Sequence, residues 1–436
     1  MGERFLDWVH MSNNEDLRKL ALLKNQKKNP NVRFPEFQAA GDWAVPVLKD
    51  ISVLIDERVG DRKLTPISIS AGVGFVAQTE KFGRDISGNQ YKLYTVVRDG
   101  DFVYNKGNSL KFPQGCVYDL QGWGEVAAPN VFICFRLKLG YENGFFRYCF
   151  EKNIHGLQLK KDITSGARSN GLLNISKEVF FGVKIPTPGL EEQKKIAACL
   201  SSIDELITAE EKKHDALKVH KKGLMQALFP AEGETVPRLR FLEFLGAGEW
   251  RRQELDPFLL EYSERASSDT NLPVYSSTRT GLKFQKDYFD DRELENDGDY
   301  GVVPQGYFVY RHMSDDGLFK FNMNRTGGSI AVSKEYPVFS TSNLHPDFLL
   351  YLLNDSDAFK AFAFAQKKGG TRTRLYLKVL RTWKPLLPSL PEQKMIAGCL
   401  TSLDDAISVQ SQKLVELRRH KNGLMQQLFP SVVEVK

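Results

Sequence analysis

The 436-residue sequence is poor in the signatures that most enzymes and membrane proteins carry. It has no apolar run approaching the length of a membrane span. Its opening, MGERFLDWVHMSNNEDLRKL, is too charged for a secretion signal. The five cysteines (Cys116, Cys134, Cys149, Cys199 and Cys399) form no CxxC pair and read as reduced thiols of a cytoplasmic protein. The seven histidines are scattered, and HExxH is missing, so no metal site is expected. There is no GxxxxGK[ST] loop for nucleotide phosphates, and the GVG at Gly72–Gly74 lacks the third glycine of a dinucleotide-binding turn. No Asp/Asn-Pro-Pro-aromatic segment is present to receive a flipped base. The acidic stretch DYFDDRELENDGD (Asp287–Asp299) reads as a solvated loop before it reads as a metal site. A non-catalytic chain is the expectation. The formal net charge of +6 is compatible with nucleic-acid binding, yet many solvated proteins are as basic.

What the sequence does contain is itself, twice. PGLEEQKKIAACLSSIDELI from Pro188 returns 200 residues later as PSLPEQKMIAGCLTSLDDAI from Pro388. Aligned without a gap over Pro188–Pro230 and Pro388–Pro430, the segments match at 23 of 43 positions. Further echoes lie upstream. VRFPEFQAAGDW (Val32–Trp43) returns as LRFLEFLGAGEW (Leu239–Trp250), and GDFVYNK (Gly100–Lys106) as GYFVYRH (Gly306–His312). The chain is a tandem duplication of a unit of about 200 residues, each a variable part followed by a better matched helix. The expected divisions are an N-terminal segment 1–31, a variable domain 32–187, a long helix 188–230, a second domain 231–387, a second helix 388–430 and a tail 431–436.

The variable parts read as mixed α/β with strands prevailing. DFVYN, NVFICFRLKL, YFVYR and SIAVS are short β-rich runs bounded by turn residues. ENGFFRYCFEKNI and His345–Gln366 have helical spacing. In the first repeated helix Ile196, Leu200, Ile203, Ile207, Leu217, Leu224 and Leu228 follow an alternating 3–4 spacing. In the second, Ile396, Leu400, Leu403, Ile407, Leu414, Leu417, Leu424 and Leu428 do the same, which is the seam that coiled-coil pairing requires. Glu210, His214, Lys221, Gln410 and Lys421 interrupt the seam and would help to fix its register. At 1.5 Å per residue each helix would run roughly 57 Å. An ordinary amphipathic core helix is the plainer alternative.

Two variable domains, each led by R-F-x-E-F…G-[DE]-W and followed by a P-x-L-x-E-Q-x-x-I helix ending G-L-M-Q-x-L-F-P, resemble the specificity subunit of type I restriction–modification enzymes. The resemblance runs from about Val32 to Pro430. It implies an α+β protein with two mixed α/β target-recognition domains, separated by two long antiparallel coiled-coil helices in a pseudo-two-fold tandem repeat. Such a chain reads a bipartite, gapped target in double-stranded DNA, and duplication matches its two readers to the two-fold symmetry of the duplex. The resemblance also implies two methyltransferase subunits carrying S-adenosylmethionine for adenine N6 chemistry, and two motor/nuclease subunits for restriction, in a prokaryotic cytoplasm. Docking of the methyltransferases would fall on the exposed faces of the long helices.

Base edges in the major groove are read by Arg, Lys, Asn, Gln, Ser and Thr on loops. In the first domain the candidates are Ser68, Ser70, Asn105, Lys106 and Asn108, then Arg168, Ser169 and Asn170 in TSGARSNGL. In the second they are Ser276, Ser277, Thr278, Arg279, Arg311 and His312, with Asn322, Asn324 and Arg325 in FNMNRTGGS. KKGGTRTRL adds Lys367, Lys368, Thr371, Arg372 and Arg374. A solvated loop is the plain alternative for each. Tyr104 and Tyr310 follow β-rich runs and read as core rather than as stacking platforms. Two other readings stay open: a specificity subunit serving a fused nuclease–methyltransferase, and a coiled-coil scaffold that reads no DNA.

Overall fold

The computed structural model describes residues 29–70, 72–107, 112–163, 173–288, 298–367 and 372–430. The chain divides into two compact units, Met1–Ala209 with Leu414–Lys436, and Glu210–Lys413. Each unit thus contains the opening half of one long helix and the closing half of the other.

The first unit has strands β1 (Ser52–Leu54), β2 (Thr65–Ser70), β3 (Gly74–Ala77), β4 (Thr95–Arg98), β5 (Phe102–Asn105), β6 (Cys116–Asp119), β7 (Glu125–Ala128) and β8 (Ile133–Leu137). The second has β9 (Arg251–Arg252), β10 (Leu259–Tyr262), β11 (Arg265–Ala266), β12 (Tyr275–Thr278), β13 (Gly281–Phe284), β14 (Tyr300–Val303) and β15 (Phe308–Tyr310). It continues with β16 (Met313–Ser314), β17 (Phe321–Met323), β18 (Ile330–Ser333), β19 (Val338–Thr341), β20 (Thr373–Arg374) and β21 (Leu386–Leu387). An antiparallel sheet of order β1-β8-β5-β6 in the first unit recurs as β10-β19-β15-β17 in the second. The first unit's other sheet, β3-β2-β7-β4, is mixed, with β2 parallel to β7. All four runs read as β-rich contain strands.

The FVY runs are apolar at every position because both faces of their strands are covered. Phe102 and Tyr104 point into a helix-backed core with Phe135, Phe145 and Phe180, while Val103 joins Ile67, Ile69 and Val97 on the other face. In β15, Phe308 and Tyr310 face one core and Val309 the other, as the period of two requires. Phe102 stacks on Phe135 at 5.4 Å, and Phe308 on Phe339 at 4.8 Å. Both tyrosines are core residues, their hydroxyls donating to Gln114 O at 2.8 Å and Leu375 O at 2.9 Å.

The long helices span Leu190–Leu228 and Leu390–Leu428. Of the seam, Ile196, Leu200, Ile207, Leu228, Ile396, Leu400, Leu414 and Leu428 are buried. Ile203, Leu217, Leu224, Leu403, Ile407, Leu417 and Leu424 are half-buried. Ile196 and Leu200 share a core with Met425 and Leu428, and Ile396 and Leu400 share the other with Leu228. Within the second unit Glu210 meets Gln410, and Lys221 meets Asp404, so the two segments run antiparallel. Gln410 donates to the Glu210 carboxylate at 2.6 Å and to its carbonyl at 3.0 Å. Bonds from Lys413 and Gln410 lower the Glu210 pKa.

The matched motif residues are the joints of each unit. Arg33 grips Glu192 with two bonds of 2.9 and 2.5 Å, and Arg240 grips Glu392 with two of 2.8 Å. The indoles of Trp43 and Trp250 donate to the same carboxylates at 3.4 and 3.3 Å. Gln193 and Gln393 donate to the carbonyls of Pro188 and Pro388 at 2.8 and 3.0 Å, turning the chain into the helix. The LFP endings serve the other repeat: Phe429 packs against Trp43 and Phe145, and Phe229 against Trp250 and Phe348.

A Tyr–Asp–Lys cluster also occurs in both units. Asp204 accepts from Tyr148 at 2.8 Å and pairs with Lys421 at 2.8 Å; Asp404 accepts from Tyr351 at 2.7 Å and pairs with Lys221 at 2.7 Å. In each, the lysine lies over the tyrosine ring, at 5.2 and 4.9 Å. The lysine always comes from the other repeat's helix, at a position that breaks the leucine seam. Asp404 is partly exposed, so screening limits the pair. Asp404→Asn is expected to cost about 1–2 kcal/mol. A double-mutant cycle with Lys221→Met should return coupling of at least about 0.5 kcal/mol, and additive effects would show the pair to be incidental.

Candidate nucleic-acid interface

In the second unit the candidates gather around three neighbouring pieces: the β12–β13 hairpin, the β16–β20 pair and the loop from β16 to β17. Met313 is paired with Arg374, and Ser314 with Thr373. The loop 315–320 is shaped by its own residues. The Asp316 carboxylate accepts from the Ser314 hydroxyl at 2.8 Å and the Leu318 amide at 3.1 Å. Gly317 has φ of +78°, and a Cβ there would lie 2.8 Å from the Phe364 ring, so the turn needs glycine. A concavity of about 480 Å³ opens between these pieces, lined by Ser276, Thr278, Arg279, Arg311, Asp315 and Lys320 among others.

Arg279, at the hairpin tip, grips Asp316 with two bonds of 2.8 and 2.5 Å. Arg372 donates to Asp315 at 2.9 Å. Arg279, the Leu318 amide and the Ser314 hydroxyl hold the Asp316 carboxyl well below the usual carboxylate range. Arg311 and Arg374 are exposed and make no hydrogen bond or ion pair among the described residues; nor does the half-buried Lys320. Arg325 is exposed and pairs with Asp347. Lys367 is exposed at the end of a helix.

The buried candidates serve the scaffold instead. Asn322 donates to the Ser277 hydroxyl at 2.8 Å and to Thr278 O at 3.0 Å, fastening the hairpin to β17. Asn324 is fully buried, donates to Val303 O and Gly328 O at 2.8 Å each, and accepts from Thr326. Both side chains are committed inward and leave little to offer a base edge. His312 is buried, stacked on Tyr376 at 5.2 Å. Ser276 and Thr278 are half-buried on the hairpin, and the Thr278 hydroxyl donates to Gly281 O at 2.7 Å.

The first unit has the corresponding β2–β3 hairpin. Ser68 is buried and accepts from Lys81 at 3.1 Å, while Ser70 is half-buried at the strand end. Asn105 closes a turn by accepting from the Gly107 amide at 2.8 Å. Lys106 reaches Ile175 O at 3.4 Å. Asn108, Arg168, Ser169, Asn170, Lys368 and Thr371 lie outside the described residues. Sequence reading missed Lys81, Asp315, Asp316 and Lys320. The echo of FVY pointed near the last three, but the two aspartates resembled any acidic turn.

The five cysteines are free. Among the described residues no helix is long and apolar enough to cross a membrane.

Comparison with known proteins places this architecture. The type I restriction modification DNA specificity domain matches residues 117–219 and 269–419, one stretch in each repeat. The MjaVIII type I restriction enzyme specificity subunit of Methanocaldococcus jannaschii is 25% identical over 316 residues, covering 65% of this chain and 70% of that protein. A putative type I restriction enzyme specificity subunit of the same organism, MjaX, is 25% identical over 459 aligned residues, covering 95% and 97%. The crystal structure of a type I restriction–modification S subunit from M. genitalium shares the fold, with a TM-score of 0.55 at 15% identity, over 93% of this chain and all of that one. With more than half of its length matched, in both repeats, this chain belongs to the type I restriction–modification DNA specificity family.

Proposed function

We propose that this chain is the DNA sequence-specificity subunit of a type I restriction–modification complex. Each unit reads one half of a bipartite target, and the long helices together form an antiparallel coiled-coil spacer in a pseudo-two-fold repeat. The observation that carries this reading is the reciprocal bracing of each unit by the other repeat's helix. Lys421 and Phe429 complete the first unit, and Lys221 and Phe229 the second. A gapped site demands two readers, and each unit here is closed by the helix of the other repeat.

Recognition is this chain's part. Two methyltransferase subunits, docked on the exposed helix faces, would supply S-adenosylmethionine and adenine N6 transfer, and two motor subunits would add restriction. On this reading the second unit meets DNA through Ser276, Thr278, Arg279, Arg311, Arg325, Lys367, Arg372 and Arg374, which are exposed or half-buried on its surface. The exposed arginines favour this reading over that of a scaffold indifferent to DNA.

The test is a methylome. The chain is co-expressed with its cognate adenine methyltransferase in a methylation-free host, and N6-methyladenine is mapped by long-read sequencing. One gapped, bipartite motif that appears only with this chain is the expected result. No methylation from a soluble complex, with a methyltransferase shown to be active beside another specificity subunit, would favour the scaffold.

A further inference from the structure

The arginines of the hairpin tip and of the segment before β20 do not point freely at solvent. They converge on consecutive carboxylates of one loop, Arg279 on Asp316 and Arg372 on Asp315. Arg311 and Lys320, which line the concavity, and Arg374, paired with the lining residue Met313, have no anionic partner among the described residues. The face therefore carries five cations and two carboxylates, and each carboxylate is paired with one arginine. The loop is not an incidental acidic turn, since Gly317, the Ser314 hydroxyl and the Leu318 amide aim Asp316 at Arg279.

Given the reading role above, on which this inference rests, we propose that Asp315 and Asp316 form a specificity filter in the second recognition domain. They hold the two arginines in place in the free protein and tax their release onto a DNA sequence that offers the carboxylates nothing. On non-target DNA, an arginine that moves to a phosphate leaves a carboxylate facing a polyanion. On the target, exocyclic amino groups of cytosine or adenine donate to the carboxylates in the major groove while the arginines take base acceptors or phosphates. Both charges of each pair are then satisfied only by one arrangement of base edges. Selectivity thus comes from a repulsive element as much as from an attractive one.

The filter predicts a gain of binding on mutation, which a structural ion pair does not. Asp315→Asn and Asp316→Asn would be made in the full chain. Binding would be measured against a duplex carrying the methylated motif and a short unrelated duplex, over a salt series. For each variant, affinity for the unrelated duplex should rise about tenfold, with a salt slope steeper by about 0.9 for each phosphate newly neutralised. Affinity for the motif duplex should stay level or fall, so discrimination drops at least tenfold. Asp315 is largely exposed, so its variant remains informative if Asp316→Asn impairs folding. Unchanged or weaker binding of both variants to the unrelated duplex, with Arg279→Ala and Arg372→Ala weakening motif binding, overturns the filter but keeps the reading face. If the two arginine variants also bind both duplexes as the wild type does, the reading face itself is misplaced.

Discussion

A chain carrying Arg311→Ala and Arg374→Ala is expected to methylate a motif that is sharp at one half-site and blurred at the other. Both side chains are exposed, without protein partners among the described residues, and beside a concavity walled by other cations. An arginine bidentate to guanine contributes about 1–3 kcal/mol of discrimination, so each loss should relax one position roughly 5- to 150-fold. The half read by the first unit should not change, because that unit has its own sheets and its own core. An arginine that only neutralises phosphate would instead weaken methylation evenly at all sites and lower the salt slope by about one. Mapping the motif for each single variant separates these roles. A motif as sharp as the wild type's at both halves would remove Arg311 and Arg374 from base reading.

Glu392→Ala should be among the most damaging single substitutions for stability. Its carboxylate is buried, takes both bonds of the Arg240 fork and accepts from the Trp250 indole. Removing it strands a buried guanidinium, which typically costs about 3–5 kcal/mol. In a unit of this size each kcal/mol moves Tm by roughly 2–4 °C, so a fall of about 10 °C is expected. Two compact units make a single unfolding transition a poor assumption. The loss should therefore be seen in the second unit's transition, and Glu192→Ala should mirror it in the first, where Arg33 and Trp43 hold the equivalent carboxylate. Calorimetry of the two variants tests both statements. Shifts under about 2 °C in each would mean that the forks are dispensable.

Why the motifs repeat was not legible from the sequence, although the repetition was. R-F-x-E-F…W and P-x-L-x-E-Q lie about 150 residues apart in each unit, and no local periodicity says that they meet. The structure joins them through one carboxylate. Strand content was legible, because β5, β8, β15 and β18 carry β-branched and aromatic residues between turn signals. The two long helices were legible from their regular apolar spacing. Which polar loop residues keep their donors free was not. Asn322 and Asn324 have the chemistry of base readers and lie in a loop-like, polar stretch, yet the Ser277 hydroxyl and three backbone carbonyls claim their amide donors. Donor chemistry can be read from a residue type, but whether a donor is already spent depends on contacts made tens of residues away.

Glu210 and Gln410 occupy the same place in the duplicated helix, and they face each other. This is a position that meets its own counterpart, so the two halves cannot be altered there independently. Two copies of the first helix would set carboxylate against carboxylate, and two copies of the second would leave Lys413 without the acid that it binds here. This pairing of unlike residues at one repeated position keeps the two helices from being interchangeable there.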